Sequence, residues 1–316
     1  MLGFLVKKVV RSAAVLVVVS FATFLLIYGN GPGIARNVLG GSITLATQAQ
    51  VHDEMVKLGL DRPLFVQYGS WFKGALTGNL QDSFFTGQPV TSTLSNRVPV
   101  TLSLAGLTLL LTIVFSVLMG VAAAVYGGWI DRLVQFLAVL GGAVPSFIVA
   151  IGLVFTLAVD VRLFPATGYV PLGQSVSQWA QSLVLPVVAL LVGSVGSAAS
   201  QFRGAVADTL EQDYVRTLRA RGIAERYVIL RHVLRNAAGP GLTVLSLQTI
   251  ALIGGVVVIE QVFSLPGMGQ LATNAAEQGD VPVVMGCVLV IIVIVLVVNV
   301  LTDVASALLN PKAKLL

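Results

Sequence analysis

The chain has 316 residues, of which 56% are hydrophobic and only 10% charged, with a formal net charge of +5 and a mean hydropathy of +0.92. A soluble domain carries about 25% charged residues to face water, so this composition excludes a soluble globular protein, a disordered chain and a disulfide scaffold. What remains is an all-α membrane protein.

A spanning helix needs roughly 20 mostly apolar residues to cross about 30 Å of hydrocarbon. Uncharged runs of that kind are Ser12–Ala35, Val98–Ile130, Leu133–Val159, Leu163–Phe202, Asn236–Ile259 and Val281–Thr302. The fourth run opens with Pro, Gly, Gln and Ser from Phe164 to Ser182, so only Leu183–Ala199 is expected to cross. Six spans are predicted. Lys7, Lys8 and Arg11 ahead of the first run also suit a signal peptide, but its apolar core, Ala13–Tyr28, is long and no small-x-small cleavage site follows. An uncleaved span is expected. The chain then divides into residues 1–29 with the first span, an outer loop over 30–97, and a core over 98–316 holding the other five spans and a cytoplasmic loop at 203–236.

Lys and Arg concentrate on the cytoplasmic side of membrane proteins. With six crossings, one side holds both termini, Arg132 and the arginines of 203–235, thirteen basic residues against six on the other side. Both termini are therefore expected in the cytoplasm. Placement on a membrane also accounts for the positive charge without nucleic acid.

In chain order, Phe65, Tyr68, Phe72 and Leu76 recur at spacings of three and four, which predicts a short amphipathic helix in the outer loop. Pro145, after Gly141-Gly142, predicts a kink in the third span. In the cytoplasmic loop, Val206, Leu210, Tyr214 and Leu218, then Ile223, Tyr227, Leu230 and Leu234, predict two amphipathic helices joined at Gly222. Six arginines crowd that joint. Such a segment can rest on anionic lipid, or form a knob that docks on a partner.

Catalytic signatures are absent. No G-x-x-x-x-G-K-[ST] phosphate loop and no G-x-S-x-G string occur, and the two histidines, His52 and His232, fall on opposite faces of the membrane. Neither a catalytic site nor a metal site is expected. The spans carry almost no ionisable side chains, Asp303 being the one candidate, whereas a proton- or sodium-driven carrier keeps carboxylates at midplane. The driving force must then come from another polypeptide. A route across the membrane would be lined by small and neutral polar groups: Thr243, Ser246, Gln248, Thr249, Gly254 and Gly255 on the fifth span, with Thr101, Ser103, Thr108 and Thr112 facing them from the second. Helix packing by the same residue types is the competing reading.

The stretch Asp213-Tyr214-Val215-Arg216-Thr217-Leu218-Arg219-Ala220-Arg221-Gly222-Ile223 resembles the cytoplasmic loop of permease subunits in ATP-binding-cassette importers of the dipeptide/oligopeptide/nickel family. Further strings of that kind are Leu58-Gly59-Leu60-Asp61-Arg62-Pro63-Leu64, Arg97-Val98-Pro99-Val100-Thr101-Leu102, Val262-Phe263-Ser264-Leu265-Pro266-Gly267-Met268-Gly269 and Leu308-Leu309-Asn310-Pro311-Lys312. Arg216-Thr217-Leu218 stands where the general loop motif has Glu-Ala-Ala, and Arg235 where it has Pro. The resemblance implies the type I importer permease fold in the bacterial or archaeal inner membrane. It implies no cofactor on this chain and no enzyme activity of its own, ATP and Mg being used by two partner ATPase subunits. A second homologous permease and an extracytoplasmic solute-binding protein complete the assembly, with a peptide as cargo and nickel complexes, glutathione or oligosaccharides as alternatives. It gives Tyr214, Arg219, Ala220, Arg221, Gly222 and Ile223 a role in docking the ATPase, and Leu265, Pro266, Gly267 and Met268 a place facing the binding protein. A secondary carrier is the more remote alternative.

Overall fold

Long apolar helices alternate with short amphipathic ones in this computed structural model, which describes the backbone of residues 2–40 and 47–309 and the side chains of 10–40, 47–239, 248–302 and 304. No strand is formed among the described residues; the only pairing of that kind is an isolated bridge between Asp82 and Pro89.

Helix α1 (Leu2–Tyr28) stops short of the predicted run, because the chain turns at Gly29-Asn30 and restarts as α2 (Gly31–Val38), where the Asn30 side chain accepts a hydrogen bond from the Gly33 amide at 3.1 Å. Thr47 and Gln50 form a capping box that opens α3 (Gln48–Lys57). Helix α4 (Leu64–Leu76) forms where the spacing predicts a helix, but its buried residue is Trp71, while Phe65 and Leu76 of the predicted stripe are exposed. Helix α5 (Val90–Tyr126) is followed across Gly127, at φ 60°, by α6 (Gly128–Ala143).

The third predicted span is broken. Helix α6 and α7 (Ser146–Leu153, continued as a π-helical turn Val154–Asp160) meet at 92°. Pro145 explains this: the ring removes an N–H and pushes the preceding Val144 out of the helical region, to φ −97°, ψ 116°. Helix α8 (Val176–Leu210) overruns the predicted Leu183–Ala199 at both ends, since Ser175 caps it at the Gln178 amide and polar residues extend a helix as readily outside hydrocarbon as apolar ones do within it. The chain continues through α9 (Asp213–Ala220), α10 (Glu225–Tyr227, continued as a π-helical turn Val228–Val233), α11 (Leu234–Val262), α12 (Met268–Gln278) and α13 (Val281–Leu309).

Among the described residues, four helices are long and apolar enough to cross a membrane: Val10–Tyr28, Val90–Tyr126, Val176–Leu210 and Val281–Thr302. The bent α6–α7 pair supplies a fifth crossing when counted as one span. Helix α11 occupies the fifth predicted run, with Gln248–Val262 as its described apolar stretch.

Two compact units result. The first joins Met1–Thr101 to Pro266–Ile294. In its core, Phe24 and Tyr28 of α1 stack at 4.0 Å, against Leu60, Trp71 of α4, and Val281 and Met285 of α13. A second cluster packs Val90 and Leu94 of α5 on Met268 and Ala275 of α12 and Val283, Val284 and Cys287 of α13. Gly286 permits it, because a Cβ there would lie 2.6 Å from Val90 Cγ1.

The second unit joins Leu102–Leu265 to Val295–Leu316 and is organised around α8. Lipid offers no hydrophobic drive for helices to associate, so close backbone approach at small residues does that work. A Cβ on Gly141 of α6 would collide with the carbonyl oxygen of Val192, one on Gly196 of α8 would fall 2.7 Å from Ala138 Cα, and one on Gly120 of α5 would fall 2.9 Å from the Ala199 oxygen. Thr112 of α5 and Ser194 of α8 add a part-buried hydroxyl pair at 2.9 Å.

Candidate functional site

The loop between α8 and α11 is a folded knob. The amphipathic segment predicted from Val206 to Leu218 is interrupted at Glu211-Gln212, so Val206 and Leu210 belong to α8 while Tyr214 and Leu218 sit on α9. All four still share one cluster, in which buried Phe202, Val206, Val215, Val228, Val233 and Ala237 pack with Val117, Val121 and Ala124 of α5. The knob thus grips the ends of α5, α8 and α11 at once.

Gly222 is the joint, as the spacing predicts, with φ +75° and no heavy atom within 4 Å of where a Cβ would stand. Backbone conformation alone calls for glycine here. The second amphipathic helix differs from expectation. Tyr227 and Leu230 are exposed, and the buried residues are Val228 and Val233, five apart. A π-helical turn brings residues five apart onto one face, which a search at helical spacing of three and four cannot find.

Of the docking residues, Tyr214 is half-buried and its phenol oxygen accepts a hydrogen bond from Asn236 Nδ2 at 2.9 Å. Ile223 is half-buried against the cluster, and Ala220, Arg221 and Gly222 are exposed. Arg219 reaches over the turn to Glu225 in a two-pronged pair, Nε to Oε2 at 3.0 Å and Nη2 to Oε1 at 2.5 Å. That guanidinium hydrogen bond holds the Glu225 carboxyl below its ordinary range, with attraction between the charges adding to it and partial burial opposing it. Arg216 meets Asp213 at 3.4 Å, whereas Arg221 and Arg226 make no ion pair among the described residues. One further pair went unread in the sequence: Arg203 on α8 grips Asp131 on α6 through Nε at 2.9 Å and Nη2 at 2.5 Å. Nothing in the spacing links residues on two different helices.

The route residues divide. Thr243 and Ser246 lie outside the described residues as far as side chains are concerned. Thr249 is buried on the face of α11 that carries Leu252, Val256 and Ile259. Gln248 is half-buried, and Gly254 is on the exposed side with Ile250 and Val258. Gly255 packs toward Leu190 of α8, whose Cδ2 would be 3.2 Å from a Cβ. On α5, Thr108 donates to the Leu104 carbonyl and Thr112 pairs with Ser194, so both serve the helix interior. Ser103 approaches the Tyr169 phenol at 3.4 Å. Asp303 has its side chain outside the described residues.

After the end of α11, Leu265 is fully buried with its amide donating to the Glu260 carbonyl at 2.8 Å. Met268 is fully buried too, its amide donating to Thr101 Oγ1 at 2.8 Å; Gly267 is buried and Pro266 half-buried. The side chains of Leu265 and Met268 face inward. No cluster of three or more His, Cys, Asp or Glu side chains suited to a metal occurs among the described residues.

Comparison with known proteins agrees with this architecture. Residues 112–315 match the family model described as the binding-protein-dependent transport system inner membrane component, and residues 1–105 match the corresponding N-terminal model. A putative peptide transport system permease protein of Brucella abortus (strain 2308) is 37% identical over 99% of both chains. A probable peptide ABC transporter permease protein of Sinorhizobium fredii is 35% identical over 98% of this chain and 99% of its own. The metal-staphylopine import system permease protein CntB of Staphylococcus aureus is 31% identical over 99% of both. Among solved structures, an inward-facing form of the MetNI methionine ABC transporter is similar in fold, with TM-score 0.54 and 20% identity over 69% of this chain and 96% of that one. The chain therefore belongs to the family of binding-protein-dependent transport system inner-membrane components and is a multi-pass permease subunit of an ABC importer, with ATP hydrolysis carried by separate subunits.

Proposed function

We propose that this permease forms half of an ATP-driven route that carries di- and oligopeptides inward. A second homologous permease supplies the other half, two ATPase subunits using ATP and Mg supply the force, and an extracytoplasmic solute-binding protein delivers the peptide. Both termini face the cytoplasm in this reading, on the side where basic residues concentrate. Peptide cargo is supported by relatives that are named for peptide transport and match along the full chain. The staphylopine-named relative supports a second reading, in which the cargo is a metal complex.

The observation that carries the coupling role is the grip of the knob on three helix ends. Tyr214, Arg219, Ala220, Arg221, Gly222 and Ile223 would seat in a groove of the ATPase, and closure of the ATPases would push the knob. The shared cluster would pass that push to α5, α8 and α11 together. Since Arg219 is already engaged by Glu225, Arg221 and Arg226 are the cations free for acidic groups on the partner. In the route, Gly254 and its exposed neighbours on α11, with Gln248, are the proposed lining; Thr243, Ser246, Thr249 and Gly255 complete the candidate set. At the other side Leu265, Pro266, Gly267 and Met268 would support the surface that meets the binding protein, offering backbone rather than apolar side chains.

Reconstitution tests the whole reading. The importer co-purified with its ATPases and placed in vesicles should take up a labelled tripeptide only with ATP and the binding protein. Uptake by this chain alone would refute it. Mass spectrometry of the ligand retained by the binding protein would separate peptide from metal complex.

A further inference from the structure

The segment from Phe164 to Ser182 carries no role in the reading above, yet it borders a cavity of about 370 Å³, open to the outside, against the start of α8. That volume lies in the range of small-molecule sites, about 300–1,000 Å³. We propose that this cavity is a subsite for the backbone of a short peptide, recognised through its amide groups and not through its side chains or charged ends. The proposal rests on the peptide reading of the cargo.

The lining decides the ligand class. Thr167, Tyr169, Gln178, Gln181 and Ser182 bring hydroxyl and amide groups to the cavity, and no charged side chain lines it. A neutral lining offers no ion pair to a charged ligand, whose ionic groups stay in water at the open side of the cavity. Two of the hydroxyls are already engaged: Ser182 donates to the Trp179 carbonyl at 2.8 Å, and the Tyr169 phenol meets Ser103 at 3.4 Å. Gln178 and Gln181, both exposed, have side-chain amides with no intramolecular partner among the described residues. They stand three apart on α8, hence on one face. Each amide offers both donors and an acceptor, the complement of a peptide group's C=O and N–H.

The walls are held before any ligand arrives. The Gly168 amide donates to the Phe263 carbonyl at 3.1 Å, which ties the loop to the end of α11. Ser175 Oγ accepts from the Gln178 amide at 3.3 Å and fixes the first turn of α8. A prearranged site spends less of its binding energy on ordering side chains and loops. Recognition of backbone alone would let one route accept many peptide sequences.

Affinity labelling of the assembled importer tests this without ATP. The only native cysteine of this chain, Cys287, is buried, so Val170→Cys, at a half-buried lining residue with no amide side chain, places one thiol at the cavity. The probe is trialanine amide with an N-terminal iodoacetyl group: the thiolate attacks the CH2–I carbon, a thioether forms and iodide leaves. Intact mass of this subunit reads the adduct. Labelling should saturate with probe concentration, and excess trialanine should slow it about tenfold, as should tripeptides containing Glu or Lys; acetate or glucose should not. Adding Gln178→Leu should weaken that protection about fivefold, the loss of one hydrogen bond. Plain iodoacetamide reacting as fast as the probe, with no protection by trialanine, would overturn the proposal. So would a thiol that no reagent reaches in the assembled importer. Because labelling is read apart from transport, failed peptide uptake with saturable labelling would sink the cargo reading and leave the subsite standing, and the reverse result would do the opposite.

Discussion

The Asp280 carboxylate accepts a hydrogen bond from the Ser83 hydroxyl at 2.5 Å, across 197 residues of chain, while its other oxygen accepts from the Phe84 amide at 3.1 Å. Asp280 and Ser83 are 4% and 5% exposed, so both groups have left water and depend on each other. Asp280 also precedes the first turn of α13, where a negative charge is favoured. This latch fastens the turn at 82–89 to the start of α13 within the first unit.

Asp280→Ala should therefore cost about 1.5–3 kcal/mol, the range for hydrogen bonds to a charged group. Asp280→Asn should cost less, because its oxygen still accepts one bond. The midpoint of thermal unfolding in detergent and the rate of protease cleavage within 82–89 measure this. If Asp280→Ala moves neither, the latch contributes nothing to stability.

At Gly222 the strain of substitution is purely conformational, since the space for a side chain is open. Ala should cost about 1 kcal/mol there, Asn less because it tolerates the left-handed region, and Val or Pro more. Import per ATP hydrolysed should fall in the order Asn, Ala, Val. A Gly222→Val importer that still moves substrate at the normal ATP cost would show that the knob does not couple.

The Arg219–Glu225 pair gives the knob a dependence on acid. Because the folded Glu225 carboxyl titrates below the unfolded one, the pair's stabilisation is fully present above the ordinary carboxylate value, about 4.3. It is lost as the pH falls through the lower folded value. The pair is exposed, so the contribution is about 0.2–1 kcal/mol. Hydrogen exchange at Gly222, Ile223 and Ala224, corrected for intrinsic rates, should accelerate in that acidic window in the parent and be insensitive to it in Glu225→Gln. Equal pH dependence in both proteins would assign the effect elsewhere.

Gly196→Ala should separate α6 from α8, because the atoms in the way belong to the backbone of Ala138 and Leu137 and have no rotamer to change. A cost of about 1–3 kcal/mol is expected. Gly204→Ala on the same helix meets nothing within 4 Å and should be neutral or slightly stabilising. Thermal unfolding of the two variants side by side makes the comparison. Equal midpoints would mean that α6 and α8 are not in close contact.

Hydropathy and basic-residue placement alone determined that the chain is helical and membrane-bound, and ordered motifs pointed to its family, because apolar length and charge are additive along a chain. Pro145 announced a break, Gly222 a joint, and Phe65 to Leu76 a surface helix, each a local rule of backbone or period. Tertiary structure decided the rest. It paired Asp280 with Ser83 and Arg203 with Asp131, buried Leu265 and Met268, put Thr249 and Gly254 on different faces of α11, and moved the buried face of the knob to Val228 and Val233. These outcomes depend on which helices approach at which glycine and on a π-helical turn that shifts a face by one residue. Such contacts join residues far apart in the chain, and no local pattern records them.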